Sequence, residues 1–267
     1  MNFQHNGMSI SVIEKLKIKL WYEASKMFSG LPYYLQSQMD ICDFARDHEP
    51  SFVDGNGGFF LKNDPVERKI INLDPWDNTR RDILILLLRT IISNKIEGEL
   101  AELGVYRGLT AKLIHHYVPE RKLHLFDTFT GFDKRDVSVE MKVTQWDVNE
   151  DDFSDTSLEK VKKNIAPLNN NTEFHQGYFP ESIPEKFGEK KFAFVHLDAD
   201  VYSPIIQALE FFYKRLSPGG IIVVHDYNAW PGARKAVDEF CVDLPIYPMP
   251  LPDKSGSALI NKPKFNN

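Results

Sequence analysis

The chain has 267 residues, 42% of them hydrophobic and 26% charged, with a formal net charge of −6. That suits one α/β domain with an appendage, or two modest domains, and can build a real core; the acidic balance argues against a dedicated nucleic-acid binder. Two cysteines, Cys42 and Cys241, are too few for a disulfide framework or a thiolate zinc site, and reduced cysteines point to the cytoplasm.

The N-terminus shows no hydrophobic signal core. Residues 10–29 and 33–47 read as helices, the first amphipathic and slightly basic, a pattern that packs on its own protein or rests on a membrane surface. "VDGNGGFF" at 53–60 is a glycine-rich turn. "NLDPWDNTRRD" is a linker whose aspartates can cap a helix over about 78–93. That helix is apolar nearly all round, which predicts full burial. It includes the longest apolar run, "ILILLLRTII", which is interrupted by Arg89 and far short of the ~20 residues that cross a bilayer.

From residue 98 strands and helices alternate. "EGELAELGV", "KLHLFDTF", "TEFHQGYF", "KFAFVHLDAD" and "PGGIIVVHDY" read as strands. "RGLTAKLIHHYV", "SLEKVKKNIAPL", "SPIIQALEFFYKRL" and "PGARKAVDEFC" read as helices, and "PIYPMP" with "GSALINK" as a closing pair of strands. The fold class is therefore α/β: a Rossmann-like, mostly parallel, seven-stranded sheet with helices on both faces. Right-handed crossovers put the strand C-termini on one edge, where such sheets bind ligands. Glu102, Gly104, Asp127, Asp198, Asp200, His225 and Asp226 all fall at or near that edge.

Gly104 and Gly108 in "AELGVYRGLTA" allow close approach of a ligand, but their spacing is not the G-x-G-x-x-G of a dinucleotide fingerprint. Glu102 suits an ammonium-bearing ligand better than a pyrophosphate; its alternative is a salt bridge to Arg107 or Lys112. Asp127 stands where an acid accepts hydrogen bonds from ribose hydroxyls, or else caps a turn. Asp200 is either a general base or the N-cap of the helix that begins near Tyr202. His115 and His116 read as surface; His175 and His196 alternate within strands and read as core or face residues. Trp230 and Tyr227 could stack on a sugar or aromatic ring, or be half-core.

"GELAELGVYRGLTA", "LHLFDTFTGF", "FHQGYFPESIP", "FVHLDADVYSP" and "LSPGGIIVVHDYNAWPGARKAVDEF" resemble, in order and spacing, the class I S-adenosylmethionine-dependent methyltransferases, and among them the macrocin O-methyltransferase (TylF/MycF-like) family. The resemblance covers roughly residues 97–242. It implies a helical and lid segment over 1–80 and a methyltransferase domain over 81–267. It also implies that Glu102, Gly104, Tyr106 and Arg107 line the methionine end of the cofactor, that Asp127 and Thr128 hold its ribose, and that Gly177 and Tyr178 border its adenine. Thr79 and Arg80 then close over the cofactor, or simply belong to a helix cap. Asp198, His225 and Asp226 match the positions of a divalent-metal site, usually magnesium. His225 stands where the family has an acid, and an imidazole ligand favours manganese or another softer ion. His225 has three readings: a ligand, a base or donor beside the metal, or a structural histidine bound to a backbone carbonyl. Asp200 is the first candidate for general base and His225 the second.

The implied function is metal-dependent O-methylation of a sugar or glycosylated metabolite. A catechol-like aromatic diol is the alternative acceptor, and a non-catalytic cofactor-binding module the alternative class. The acceptor pocket is expected from residues 1–80 and an irregular loop at 133–156, whose "QWDVNEDDFSD" is acidic. No nucleic-acid partner and no integral membrane segment are expected; a homo-oligomer is possible within the family.

Overall fold

The computed structural model describes residues 78–166, 171–242 and 244–264. The helices expected at 10–29 and 33–47, the glycine turn at 53–60 and the rest of the N-terminal segment to residue 77 lie outside the described residues, as does Cys42.

Helix α1 (Asn78–Ser93) precedes β1 (Glu99–Leu103), α2 (Leu109–Tyr117) and β2 (Leu123–Asp127). Then come α3 (Lys134–Thr144), α4 (Leu158–Ile165), β3 (Thr172–Gln176) and β4 (Phe192–Leu197). Helix α5 (Tyr202–Arg215), β5 (Leu216–Val224), α6 (Pro231–Val242), β6 (Met249–Pro250) and β7 (Ala258–Asn261) complete the domain. The seven strands lie in the order β3-β2-β1-β4-β5-β7-β6. β1 to β5 pair in parallel, while β7 runs antiparallel to both β5 and β6, so the sheet is mixed. The central strands β1 and β5 are buried over most of their length, and β4 is buried at all six positions. That explains why "FAFVHL" is a continuous apolar run and not an alternating one. Helices α1, α2 and α4 pack together on one side of the sheet, and α3, α5 and α6 on the other. On the α5 side, Phe126, Phe179, Phe187, Phe192 and Phe212 interlock through edge-on and stacked contacts.

Two expectations are corrected. Helix α1 is not buried all round: Leu84, Ile85, Leu88 and Ile91 form its core stripe, while Leu86 and Ile92 are exposed. The apolar run thus supplies more hydrophobic positions than one face needs. The stretch 133–156 is not wholly irregular either, because its first half is helix α3. Asp133 caps α3 by accepting a hydrogen bond from the Arg135 amide. The inner face of α3 carries acids, with Asp136 and Glu140 buried one turn apart, so hydrophobic periodicity could not reveal it.

Glu140 is the structural payload of that helix. It is fully buried. One carboxylate oxygen accepts from the Tyr202 amide at 2.7 Å and the other from the Thr144 hydroxyl at 2.9 Å. Its carboxylate also lies against Gly232, where no side chain would fit. One negative charge therefore serves the first turns of both α5 and α6, whose orphan amides and dipoles favour it. Val201, the N-cap of α5, offers no side-chain cap, so Glu140 does the capping that Asp200 could have done. Replacing Glu140 by alanine leaves the Tyr202 amide without its acceptor, and we expect a loss of about 1–3 kcal/mol. It should appear in urea titration as a lower midpoint with an unchanged slope.

Candidate active site

The register of the parallel strands builds the site. Gln176 pairs with Asp127, Leu103 with both Phe126 and Leu197, and Leu197 with Val224. Gln176 and the next residues along the other strands therefore stand in one row, Gln176, Asp127, Gly104, Asp198 and His225, with Gly177 one residue beyond it on β3. Strand order reverses between β1 and β4, where sheets of this kind open a crevice. The Asp198 amide donates to the Leu103 carbonyl and the His225 amide to the Leu197 carbonyl, each at 2.8 Å, so the row is fixed by backbone. Position 104 must be glycine here: its φ is +85° and any Cβ would overlap the Asp198 carbonyl.

A cavity of about 440 Å³ opens over this row, within the range of ~300–1,000 Å³ usual for small-molecule sites. Its wall includes Gly104, Tyr106, Arg107, Asp127, Thr128, Gly177 and Tyr178, and on the other side Arg80, Asp198, Asp200, His225 and Asp226. Of the candidate residues, Glu102, Thr79, Tyr227 and Trp230 do not line the cavity; Glu102 lies behind the wall at 1% exposure. Glu102 does not bridge to Arg107 or Lys112. One of its oxygens meets His196 Nδ1 at 3.1 Å and the other has no partner. Burial, followed by the charge of Asp198, pushes its carboxyl well above the usual range.

At the Gly104 end of the cavity, Asp127 does cap a turn. Its Oδ2 accepts from the Val105 and Tyr106 amides at 2.6 and 2.9 Å, and Oδ1 accepts from the Phe129 amide at 2.6 Å. A carboxylate has about four lone-pair sites, so capping leaves room for a ligand hydroxyl. Tyr106 adopts a left-handed backbone (φ 50°), and its hydroxyl donates to Asp155 at 2.6 Å. Arg107 pairs with the same Asp155, so the acidic loop is anchored to the glycine turn. Thr128 donates to the Gly131 carbonyl. The Tyr178 hydroxyl donates to Asp136 at 3.1 Å, and the Arg135 guanidinium covers the Tyr178 ring. Asp136, a cavity-lining acid that sequence reasoning missed, is pushed up to about 6 chiefly by burial.

At the other end, His225 Nδ1 lies 2.7 Å from Asp198 Oδ1 and 3.1 Å from Asp226 Oδ2. The three side chains offer ligand atoms that all lie within 4.8 Å of one another. Burial opposes charge on His225, but the two carboxylates raise it to about 10, so its ring is an imidazolium with the proton between them. Burial likewise opposes the charge of Asp198, yet Arg80 and His225 hold its carboxyl well below the usual range. Arg80 donates to Asp198 Oδ2 at 2.6 Å, whereas Thr79 is exposed. Asp200 is raised well above the usual range by burial, the Asp198 charge and a hydrogen bond to Asp226. Asp200 and Asp226 both adopt left-handed backbone conformations, with φ of 60° and 57°. Such strain in non-glycine residues concentrates at functional sites. The reading of His225 as bound to a backbone carbonyl through its ring is not what the structure has: its Nδ1 serves carboxylates. Its buried Nε2 has no hydrogen-bond partner and lies 3.9 Å from Asp253, a second residue the sequence did not flag.

Trp230 packs against Phe132 and Phe153 beside the cavity, and Phe153 meets Tyr106 edge-on. Tyr227 is turned away, its hydroxyl on Asp238. His115, expected at the surface, is buried because its side of α2 faces the core; His175 and His196 are buried as expected.

Residues 77–250 match the family model described as Macrocin-O-methyltransferase (TylF). The chain is 30% identical over 166 residues to the mycinamicin III 3''-O-methyltransferase of Micromonospora griseorubida, covering 57% of this chain and 64% of that one. It is 29% identical over 174 residues to a Streptomyces olivaceus 4'-O-methyltransferase acting on 8-demethyl-8-(2,3-dimethoxy-alpha-L-rhamnosyl)-tetracenomycin-C, covering 60% of this chain and 64% of that one. The matches thus span less than two thirds of those relatives' length. The fold is shared with the O-methyltransferase NovP (TM-score 0.63, 21% identity, 80% of this chain and 97% of that one). It is also shared with the calicheamicin methyltransferase CalS11 (TM-score 0.56, 18% identity, 97% and 99%).

Asp136 gives this site a pH signature. Its folded-state value of about 6 exceeds the 3.8 of a free side chain. Between those values the folded chain holds a proton that the unfolded chain lacks, so this group's contribution to stability falls as pH rises through that window. The difference in urea midpoint between Asp136→Asn and wild type should therefore shift in favour of the variant from pH 4 to pH 7. A constant difference would place Asp136 in a solvated setting.

Proposed function

The chain belongs to the macrocin O-methyltransferase (TylF) family, and from that premise we propose that it transfers a methyl group from S-adenosylmethionine to a hydroxyl of a sugar or glycosylated metabolite, with a divalent metal ion at Asp198, His225 and Asp226. The observation that carries the reading is the row of strand tips, which puts a glycine turn and a ribose-type acid on one side of a cavity and a three-donor cluster on the other. The relatives' names supply the acceptor class.

The donor set fits a metal. Two carboxylates and an imidazole converge, and the proton on His225 Nδ1 occupies the point a cation would share. A divalent ion held there supplies positive charge that acidifies a bound hydroxyl and favours an ionised Asp200. The imidazole makes manganese a better fit than in an all-carboxylate site, with magnesium the family's usual ion.

The cavity also fits the cofactor, which supplies an electrophilic methyl on a sulfonium. Gly104, Tyr106 and Arg107 take its methionine end, with the unpartnered Glu102 oxygen behind them; Asp127 and Thr128 take the ribose, and Gly177 and Tyr178 the adenine edge. With the cofactor bound, its sulfonium would supply the methyl group to the acceptor oxygen and leave as a thioether, and an ionised Asp200 would receive the hydroxyl proton. Its raised proton affinity in a buried setting is what a general base needs near neutral pH. His225, held as an imidazolium by two carboxylates when no cation is bound, is better placed as ligand than as base. Phe132, Phe153 and Trp230 border the acceptor side and exclude water from it.

Asp198→Ala should abolish methyl transfer to a panel of vicinal-diol glycosides while leaving calorimetric affinity for S-adenosylhomocysteine within about threefold. Retained turnover with added manganese would remove Asp198 from the metal site. Turnover of catechols but not glycosides would favour the aromatic acceptor instead. Asp127→Ala should weaken S-adenosylhomocysteine binding at least tenfold, roughly 1.4 kcal/mol; unchanged affinity would leave Asp127 as a turn cap alone.

A further inference from the structure

A second cluster of ligating side chains lies away from the cavity. β1, β2 and β3 pair so that Ala101 is beside His124, His124 beside Glu173, and Phe126 beside His175. Side chains alternate along strands, so Glu99, His124, Glu173 and His175 share one face of the sheet. His124 lies three residues, roughly 10 Å, upstream of Asp127, toward the opposite end of β2 from the cavity. His124 and His175 are buried, while Glu173 is exposed on the edge strand β3.

The hydrogen-bond pattern fixes the protons. His124 Nε2 lies 2.7 Å from Glu99 Oε2. Lys190 donates to both oxygens of Glu99, at 3.0 and 2.8 Å, so Glu99 is the acceptor, Nε2 carries the hydrogen and His124 Nδ1 presents a bare lone pair. His175 Nε2 faces that lone pair at 2.9 Å, and Glu173 Oε2 lies 4.0 Å from His124 Nδ1. Moving the His175 proton from Nε2 to Nδ1 frees two imidazole nitrogens beside a carboxylate, with ligand atoms that all lie within 4.8 Å of one another.

We propose that His124 Nδ1, His175 Nε2 and Glu173 form a second metal site, selective for zinc-class divalent transition ions, with Glu99 as the carboxylate that orients His124. Two histidines and one glutamate with an open fourth position are a recognised zinc donor set. The spacings of 2.9 and 4.0 Å bracket the separation of roughly 3.4 Å that neighbouring ligands of a tetrahedral zinc adopt. A carboxylate on the far nitrogen of a ligating histidine is the usual supporting contact of such sites. The nearby charges are Lys190 on Glu99 at 2.8 Å and Lys122 on Glu173 at 3.3 Å. Only the Lys122 contact is displaced on binding, and it is exposed and weak. Nitrogen ligands separate this site from magnesium. The bound ion clamps the edge strand β3 to β2.

The test is calorimetric titration of the chelator-treated full chain with zinc chloride, using an Asp198→Asn/Asp226→Asn background to remove the other cluster. One equivalent should remain in that background, and cobalt in its place should give the visible absorption of a four-coordinate site. On the same background His175→Phe, which keeps the stack on Phe126, should abolish that equivalent. Glu173→Gln, an exposed change that does not threaten folding, should weaken it at least tenfold, and Glu99→Gln by about 10–100-fold. No zinc bound in the background, or affinity unchanged within twofold by Glu173→Gln and His175→Phe, would overturn the site.

Discussion

One proton shared by His225 with Asp198 and Asp226 organises the candidate site. It is held there because β4 and β5 are in register, so that the residue after Leu197 and the residue after Val224 must stand side by side. Two carboxylates so placed cannot both stay ionised in a buried setting without a cation. The imidazolium and Arg80 meet that demand here, and a divalent ion would meet it by replacing the proton. Burial, and then the same crowding, raises the carboxyl of Asp200, the third acid of the group, well above the usual range.

Holding these groups costs backbone strain and buried charge, and both are supported from outside the cavity. Left-handed turns at Asp200 and Asp226 aim their side chains at the crevice. The segment that follows Asp200 is pinned by Glu140 on the Tyr202 amide, and the same carboxylate sits at the start of α6, the helix that follows Asp226. Helix α3 thus acts on both halves of the acid cluster without reaching it. At the other end Asp127 ties β2 to the turn after β1, so the shape of the glycine turn depends on a carboxylate of the neighbouring strand. Affinity for a ligand there and local stability are coupled through one side chain.

The two histidine clusters show how one residue type acquires different states from its surroundings. His225 lies between two carboxylates and is raised to about 10, whereas His175 lies among aromatic rings and is held at about 4. His196, against Glu102 and beneath Arg80, is lowered to about 3, burial being the largest cause. In each case the outcome turns on whether a carboxylate close enough to outweigh desolvation is also ionised.

The sequence by itself determined the sheet, the strand ends and the identity of most cavity-lining residues. Buried parallel strands read as short apolar runs, and polar residues at their ends announce the edge where ligands bind. Only the tertiary structure decided which residues share a contact. Asp136 and Glu140 escaped notice because α3 turns an acidic face inward, so hydrophobic period carried no signal. Asp253 comes from a segment far along the chain, and Arg80, which the resemblance did single out, donates to Asp198; neither meeting leaves a local trace. Whether Asp200 caps a helix or faces the crevice depended on Glu140 occupying the cap first, and the pairing of His124 with His175 depended on strand register. Local pattern records what each segment buries; through-space electrostatics arises only once the strands are side by side.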